Sequence, residues 1–571
     1  MKQRLPGAWT KNDCTRRAFW LTALLLVALK LFLASRQMLF ITPQGAPIDD
    51  TLMYDAAVSI TNGAWLGGYD WLTLSKYMLF PTWVALLHTL HIPYLLGGQL
   101  LYAAACAVGT AAFSPVVRRY QTRLLLFFVL LFNPAQTAAA VQLRVYRDNI
   151  TGALALLLFA GFAGAALRHK QPVRQSIGFL LAAGAGLAGS YLNREDGAWY
   201  LAFCVAATAV TCFFICANRG VPQKLRKCLA QSVPYAMLCA GALVFCALNA
   251  SAYGRFAVSD FTSREFRDAC GALMRVSASD TFAQKEKVPV SAAALDAVYA
   301  AVPEMDKVQG KLKSFDIMRD YGAIDSGGEY TAGGFYWALR RAVSESGCAD
   351  TAAEAKVFYT AVADKINALC DSGALPGSGG KISTTLMPFR ARYFLPTLRE
   401  ACINVGRMLV FNEAAPAFDT ISVTPPDLQA QYEAFLGNAC NISAKPYTDE
   451  AYYLPKQQRA YFVFTALQWT YAVCVSVMFA AAVLWQAVGL FQLAHSAGTK
   501  TPWPPRVLWW VQLGLLCSVL LRCAIVAYLF VTAFNAGVGR LPYLCGAHPA
   551  LLLFCFIGTL QCAKMRRAAH G

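Results

Sequence analysis

The sequence predicts an all-α polytopic membrane protein with about ten transmembrane helices, an interfacial half-helix in the first outer loop, and a mainly helical outer domain. The first observation is composition: 57% of the 571 residues are hydrophobic, only 14% are charged, and the mean hydropathy is +0.42. Such a chain is too apolar for a soluble protein of this length. The other two observations are the repeated apolar runs and the clusters of basic residues that separate them.

The apolar runs are the candidate spans, because about 20 apolar residues are needed to cross the hydrocarbon core of a bilayer. They are 18–41, 95–116, 124–135, 150–167, 177–192, 198–217, 233–250, 461–490, 507–533 and 550–562. The first follows a basic N-terminus as a signal peptide does, but it is too long and has no small-residue cleavage site. It is therefore kept as a span. A helix of about ten residues before Pro93 is too short to cross and is predicted to lie along the interface.

Basic residues set the orientation, since Lys and Arg are retained on the cytoplasmic side of short loops. With the N-terminus inside, the inner segments contain 20 basic residues and a single acid, Asp13. The basic residues are Lys2, Arg4, Lys11, Arg16, Arg17, Arg118, Arg119, Arg123, Arg168, Lys170, Arg174, Arg219, Lys224, Arg226, Lys227, Lys500, Arg506, Lys564, Arg566 and Arg567. Ten spans with both termini inside account for every cluster.

This pattern predicts three parts: a membrane catalytic module at 1–250, an extracytoplasmic domain at 251–458, and a C-terminal membrane module at 459–571. Of the 32 acidic residues, 24 lie between 252 and 455. The net charge of +18 is thus mostly a topology signal and an attraction to anionic lipid, and it requires no nucleic-acid partner. We expect a multi-pass protein of the plasma or inner membrane, with a role in the cell envelope.

Seven of the other eight acids crowd three short loops on the predicted outer face. They are Asp49, Asp50, Asp55, Asp70, Asp148, Glu195 and Asp196. Carboxylates beside a bilayer are costly to desolvate, so their recurrence at one face, each near an Arg or Lys, is typical of a functional site. The sequence therefore predicts chemistry on the extracytoplasmic face.

Residues 18–250 resemble the GT-C superfamily of multi-spanning glycosyltransferases, which includes protein mannosyltransferases and aminoarabinose transferases. The likeness rests on an Asp pair after the first span, an aromatic-rich loop, Lys76 before a Pro-containing half-helix, Asn-Pro after the third span, and Arg-Glu-Asp-Gly after the fifth. The sequence differs from the commonest pattern in that Asp49 and Asp50 are adjacent and Pro81 is single.

The resemblance implies sugar transfer from a polyprenyl-phosphate donor to a glycan, lipid or protein acceptor. Such transfer needs a base for the acceptor proton and cations for the departing phosphate. Asp49 or Asp50 is the predicted base, and the other carboxylate is its orienting partner or a metal ligand. The predicted phosphate contacts are Arg144, Arg147 and Arg194, with Lys76 as a weaker candidate.

Glu195 and Asp196 are predicted to bind sugar hydroxyls, to hold the arginines, or to share a divalent cation with the first loop. That cation would be Mg²⁺ or Mn²⁺, with Asp49, Asp50 and Glu195 as its candidate ligands. Nothing in the sequence selects one of these roles.

Other interpretations remain open. Asp49 could cap a helix beginning near Thr51, and Arg144, Arg147 and Asp148 could form a solvated loop with a local ion pair. A lipid-linked oligosaccharide ligase or polymerase would share the spans and the large outer loop. A transporter would place charges within its spans, where Lys30 and Arg522 are the conspicuous ones. A structural role remains if the three loops do not meet.

Overall fold

The computed structural model describes residues 11–277, 287–377, 379–441, 448–495, 506–534 and 537–570. In these ranges the secondary structure is helical apart from two isolated bridges, which pair Leu39 with Cys440 and Thr420 with Glu450. The N-terminal helices are α1 (Lys11–Ala34), α2 (Leu52–Thr61), α3 (Leu79–Thr89), α4 (Tyr94–Ala112), α5 (Tyr120–Leu131), α6 (Ala139–Gln142), α7 (Asp148–Leu167), α8 (Val173–Asn193), α9 (Tyr200–Ala217), α10 (Lys224–Ala230) and α11 (Val233–Tyr253). Short π- and 3₁₀-helices at Pro47–Thr51 and Glu195–Trp199 precede α2 and α9.

The rest of the chain continues with eight helices in the large loop and four at the C-terminal end. The loop contains α12 (Arg264–Ser277), α13 (Ala292–Ala301), α14 (Pro303–Leu312), α15 (Phe315–Asp320), α16 (Gly334–Glu345), α17 (Ala352–Asp371), α18 (Phe394–Leu409) and α19 (Pro426–Leu436). The end of the chain contains α20 (Pro455–His495), α21 (Arg506–Thr532), α22 (Leu541–Leu544) and α23 (His548–His570).

Nine helices of the described residues are long and apolar enough to cross a membrane. They correspond to the first, second and fourth to tenth predicted runs, so a polytopic helical membrane protein is confirmed. The third run differs, because α5 has only 12 residues and begins and ends four residues earlier than predicted. The half-helix before Pro93 is α3, with 11 residues.

Helix α7 is the centre of the bundle, and most of its residues are buried. Its closest neighbour is α8, and each helix has a glycine where the backbones meet. A Cβ on Gly161 would lie 2.5 Å from the backbone nitrogen of Ala183, and one on Gly186 would lie 2.3 Å from that of Leu158. Small residues allow the backbones of apolar helices to approach this closely. In lipid there is no hydrophobic driving force between helices, so such close packing holds them together. The two helices thereby hold the loops at their ends in fixed positions.

Helix α5 ends inside the bundle, where its last carbonyl groups need partners. Lys30 Nζ donates a hydrogen bond to the Leu131 carbonyl at 2.9 Å, and Tyr102 Oη donates to the Leu130 carbonyl at 2.9 Å. Tyr471 Oη lies 3.2 Å from the Val129 carbonyl. A cation at a helix C-terminus also offsets the negative end of the helix dipole. Lys30, which is buried within its span, therefore stabilises the end of α5.

The large loop has two parts with different packing. Residues 264–277 and 287–375 surround a hydrophobic core of their own. Farther along, α18 packs on α21 and contributes Met408 to the core of the membrane helices. Tyr432 of α19 stacks on Tyr54 of α2, with ring centroids 3.6 Å apart. The loop thus covers the end of the bundle where α1, α8 and α11 end and α7 begins, here called the site end.

Candidate functional site

The three predicted loops meet at the site end, around the ring of Tyr146. The cationic groups of Lys76, Arg144 and Arg147 lie 5.0, 5.2 and 5.1 Å from the centre of this ring. Cations in this position are attracted by the negative face of an aromatic ring. Tyr146 and Asp49, 97 positions apart in the sequence, are hydrogen-bonded, and Tyr77 bonds Glu195 across 118 positions, so the three loops form one cluster. The structural interpretation requires that the three loops do not meet. Because they do meet, its condition is not fulfilled.

Asp49 is the accessible carboxylate of the cluster. Its side chain is 37% exposed, it pairs with Lys76, and it accepts a hydrogen bond from Tyr146 Oη at 3.0 Å. Lys76 Nζ in turn lies 2.9 Å from Tyr146 Oη. Burial acts to raise the pKa of Asp49, but Lys76 and then Arg144 outweigh it and hold that pKa below its ordinary value. Asp49 is thus kept ionised.

Asp49 does not cap a helix. The turn at Pro47–Thr51 and the following α2 both begin without a side-chain cap hydrogen bond. The interpretation of Asp49 as a capping residue is therefore wrong, because its carboxylate is engaged by Lys76 and Tyr146 instead.

Asp50 is buried behind it, with a side chain 6% exposed, and is held by Arg144. Arg144 Nε donates to Asp50 Oδ2 at 3.0 Å and Nη2 donates to Oδ1 at 2.5 Å. Burial raises the pKa of Asp50, and Arg144 opposes that rise. Adjacent carboxylates in different surroundings can take different roles. Here one is an accessible ion and the other supports an arginine.

Arg147 and Glu195 form the second part of the cluster. Arg147 Nη1 lies 2.8 and 2.7 Å from the two carboxylate oxygens of Glu195. The backbone N–H of Tyr77 also donates to Glu195 Oε1 at 2.9 Å, which ties the first loop to the third. The Asn193 side chain holds the backbone of Arg147 through a hydrogen bond of 3.0 Å to its carbonyl. The interpretation of 144–148 as a solvated loop is wrong, because Arg147 and Asp148 are buried.

The third part joins the site to the C-terminal helices. Arg194 pairs with Asp148 and, through Nε, with Asp196 at 3.0 Å. Asp196 also accepts a hydrogen bond of 2.5 Å from Arg522 Nη2 in α21. Arg522 is a site residue that sequence reasoning missed in that role, since its charge within a span is the only signal. All eight candidate residues lie in the cluster, and Tyr146 and Arg522 add to them.

Helix α16 of the large loop packs over the first loop. Arg340 donates hydrogen bonds to the carbonyls of Trp71 at 2.5 Å and Thr73 at 2.6 Å, and it pairs with Asp260 at 3.2 Å. The ring of Trp337 is 5.6 Å from Lys76 Nζ. No sequence motif marks these two residues. These contacts place Trp337, an aromatic residue of the large loop, at the edge of the site.

The predicted divalent cation needs several oxygen ligands at one point. Among the described residues, no group of three or more His, Cys, Asp and Glu side chains is arranged to hold a metal ion. Asp49, Asp50 and Glu195 each pair with a cation instead: Lys76, Arg144 and Arg147 respectively. As arranged, the three candidate ligands are thus engaged by basic side chains, and a divalent cation at this site stays a prediction.

The comparisons with known proteins give one structural likeness. The chain is similar over 95% of its length to 78% of the chain in the crystal structure of ArnT from Cupriavidus metallidurans in the apo state, at 13% sequence identity and a TM-score of 0.30. No family model matches the sequence, and no curated protein matches it. A likeness at this level carries no activity over to this chain.

Proposed function

We propose that this protein transfers a sugar from a polyprenyl-phosphate donor to an acceptor at the site end of the membrane. The observation that supports it best is Asp49, an accessible carboxylate that lies between Lys76 and Arg144 next to the ends of membrane spans. A donor whose lipid remains in the bilayer would present its phosphate at this level. The resemblance of residues 18–250 to GT-C glycosyltransferases points to the same reaction class.

The phosphate contacts are assigned to Arg144 and Lys76. Arg144 is the most accessible of the cluster arginines that pair with the loop carboxylates, with 26% of its side chain exposed, and its fork can bind phosphate oxygens in pairs. Lys76 lies beside it with an ammonium group directed at Asp49. Lys76 is itself only 6% exposed, but it pairs with the accessible Asp49. Arg147 and Arg194 pair instead with Glu195 and with the buried Asp148, so they are assigned as positioning residues.

Asp49 is assigned as the base. The acceptor hydroxyl oxygen forms a bond to the anomeric carbon, and the bond from that carbon to the phosphate oxygen breaks. The electron pair of that bond stays with the polyprenyl phosphate, and the acceptor proton passes to the Asp49 carboxylate. A donor phosphate that engages Lys76 would weaken its pull on Asp49 and make the carboxylate more basic. The remaining charges are fixed in advance, which reduces reorganisation during the reaction.

The site end is assigned to the extracytoplasmic side, because the opposite end has the basic clusters that cells retain inside. The acceptor is a glycan, lipid or protein. The divalent cation of the sequence analysis stays an untested prediction, and a chelator added to the assay tests it.

The test is transfer of radiolabelled sugar by the purified protein in lipid nanodiscs, from a panel of polyprenyl-phosphate and polyprenyl-diphosphate donors. Asp49→Asn keeps the shape and removes the base, and we expect it to lower the rate by about a hundredfold or more. Asp55→Asn is the matched control, since Asp55 is an exposed carboxylate of the same loop outside the cluster. Wild-type rates in Asp49→Asn would contradict the assignment.

The donor panel also separates the alternatives. Turnover with diphosphate-linked oligosaccharides alone would favour a ligase or polymerase. Absence of turnover with every donor would favour a transporter. Against the transporter, Lys30 binds the end of α5 and Arg522 binds Asp196, so both charges within spans already have structural partners.

A further inference from the structure

A large cavity lies at the end of the bundle opposite the site end, here called the basic end. It has a volume of about 1220 Å³ and is formed by the loop after α4, the C-terminal ends of α7, α9 and α23, and the start of α21. Basic side chains line it: Arg118, Arg119, Lys170, Arg219, Lys564 and Arg567. The site described above contributes no residue to this cavity.

Helix capping does not account for these six cations. Arg168 occupies the helix ends, because it donates hydrogen bonds to the carbonyls of Ala112 at 2.8 Å and Gly164 at 3.0 Å. Arg123 does the same for the Val117 carbonyl at 2.6 Å, and Lys224 for the Cys216 carbonyl at 2.7 Å. The carbonyl groups that a basic residue would cap are thus served by other side chains.

Acidic neighbours do not account for them either. In the part of the chain that the structure describes, no carboxylate lies within 4.0 Å of the six side chains, although ion pairs are frequent at the site end. Six cations around one cavity repel one another. The arrangement is therefore complementary to an anion that can reach several of them.

The other walls of the cavity are apolar and adjoin the lipid-facing surface. They include Leu167, Phe213, Leu508 and Leu560, and Phe213 is 66% exposed on the outer face of α9. A second, apolar cavity of about 460 Å³ lies between α1, α4 and α5 and ends at Ser114 and Arg123, next in the chain to the basic cavity. Apolar walls below a ring of cations match an amphipathic anion.

We propose that the basic cavity binds the phosphate headgroup of an anionic membrane lipid, with the acyl chains against its apolar walls. Basic pockets between the ends of membrane helices favour such headgroups, and each Lys or Arg near the surface adds to the attraction. A dispersed excess of basic residues would serve topology alone. Their convergence on one cavity is what distinguishes a lipid site.

The test compares two triple variants of the full chain in detergent micelles, by titration with phosphatidylglycerol and with phosphatidylcholine. The cavity variant is Arg118→Gln, Arg119→Gln and Lys564→Gln. The control variant is Arg174→Gln, Arg226→Gln and Arg566→Gln, which removes the same charge at the same end from exposed residues that do not line the cavity. We expect phosphatidylglycerol affinity to fall at least about tenfold in the cavity variant and less than about twofold in the control.

Equal losses in both variants, or none in either, would overturn the proposal. Inorganic phosphate at a large excess is the second arm: it should not displace the lipid, and full displacement would assign the cavity to a soluble phosphate compound and overturn the lipid assignment. A photoreactive phosphatidylglycerol on the wild-type protein covers the case in which the variant does not fold. Its crosslinks should fall in 115–122 and 560–567, and crosslinks confined to other segments would contradict the site.

Discussion

Arg144 binds Asp50 through two guanidinium nitrogens, Nε at 3.0 Å and Nη2 at 2.5 Å, across 94 positions of sequence. The same Nη2 is 3.9 Å from the adjacent residue Asp49, which pairs with Lys76. One arginine therefore contacts both carboxylates but is fixed by only one of them. The result is an accessible Asp49 on a support that Asp50 and Arg144 make rigid, as a precise site requires.

Replacing Arg144 by lysine tests the phosphate assignment. An ammonium group keeps the charge but cannot form two parallel hydrogen bonds. We expect the KM for the lipid-linked donor to rise about tenfold, since a hydrogen bond to a charged group contributes about 1.5 to 3 kcal/mol. Steady-state transfer over a range of donor concentrations measures it. Arg319→Lys, on the exposed surface of the large loop, is the control, and an equal KM in the Arg144 variant would refute the contact.

The pH dependence of stability tests the environment of Asp49. Its pKa lies below the ordinary 3.8 because Lys76 and Arg144 outweigh burial. A carboxylate with a lowered pKa stabilises the fold above its unfolded pKa and loses that contribution as pH falls through its folded pKa. Thermal unfolding should therefore show a constant difference between wild type and Asp49→Asn down to about pH 4, and a smaller one below.

Asp55, in the same predicted loop as Asp49, should show the opposite pH dependence of stability. Its side chain reaches solvent, but the protein around the carboxyl group desolvates it and raises its pKa, so the ionised form is disfavoured in the folded protein. Wild type should gain stability relative to Asp55→Asn as pH falls toward that raised pKa. The same slope for both variants would show that the Asp49 environment is misassigned.

Much of this architecture follows from the sequence, because apolar runs and basic loops are local signals. Helix α5 lies four residues before the predicted run 124–135, because its end depends on Lys30 and Tyr102, which reach it from other helices. That the acidic loops share a face is likewise a local inference. Which carboxylate binds which arginine is not, because pairs such as Arg522 and Asp196 are 326 positions apart and exist only after the helices pack.

The pair Arg522 and Asp196 predicts strong coupling between α21 and the site. Asp196 is 28% exposed and keeps its pair with Arg194, so Arg522→Gln removes one charged hydrogen bond and should lower the free energy of unfolding by about 1.5 to 3 kcal/mol. The double variant with Asp196→Asn should lose less than the sum of the single losses. Reversible unfolding in detergent measures the cycle. Additive losses would mean that the two side chains do not stabilise each other.

Arg340 predicts that the large loop holds the first loop in place. Arg340→Gln removes the hydrogen bonds to the carbonyls of Trp71 and Thr73 and leaves Asp260 with fewer partners. We expect faster hydrogen exchange in residues 68–76. We also expect a lower transfer rate, because Lys76 belongs to this segment. Arg319→Gln, an exposed arginine of the large loop that pairs with Asp316 and Asp320, is the control. Unchanged exchange at 68–76 would show that Arg340 does not hold the first loop in place.

Lys30 separates a transferase from a transporter. Its ammonium group lies within α1, where it donates a hydrogen bond to Leu131 and has the rings of Phe132, Tyr102 and Phe464 within 6.0 Å. In Lys30→Met the cost of the buried charge disappears, but the Leu131 carbonyl loses its partner, which costs about 1 to 3 kcal/mol. We expect a modest change in melting temperature and a sugar-transfer rate within about twofold of wild type, since the contacts of Lys30 are with the end of α5 and with Tyr102, Phe132 and Phe464, none of which belongs to the cluster. Loss of all activity with normal folding would instead place Lys30 on a substrate or proton path, as a transporter requires.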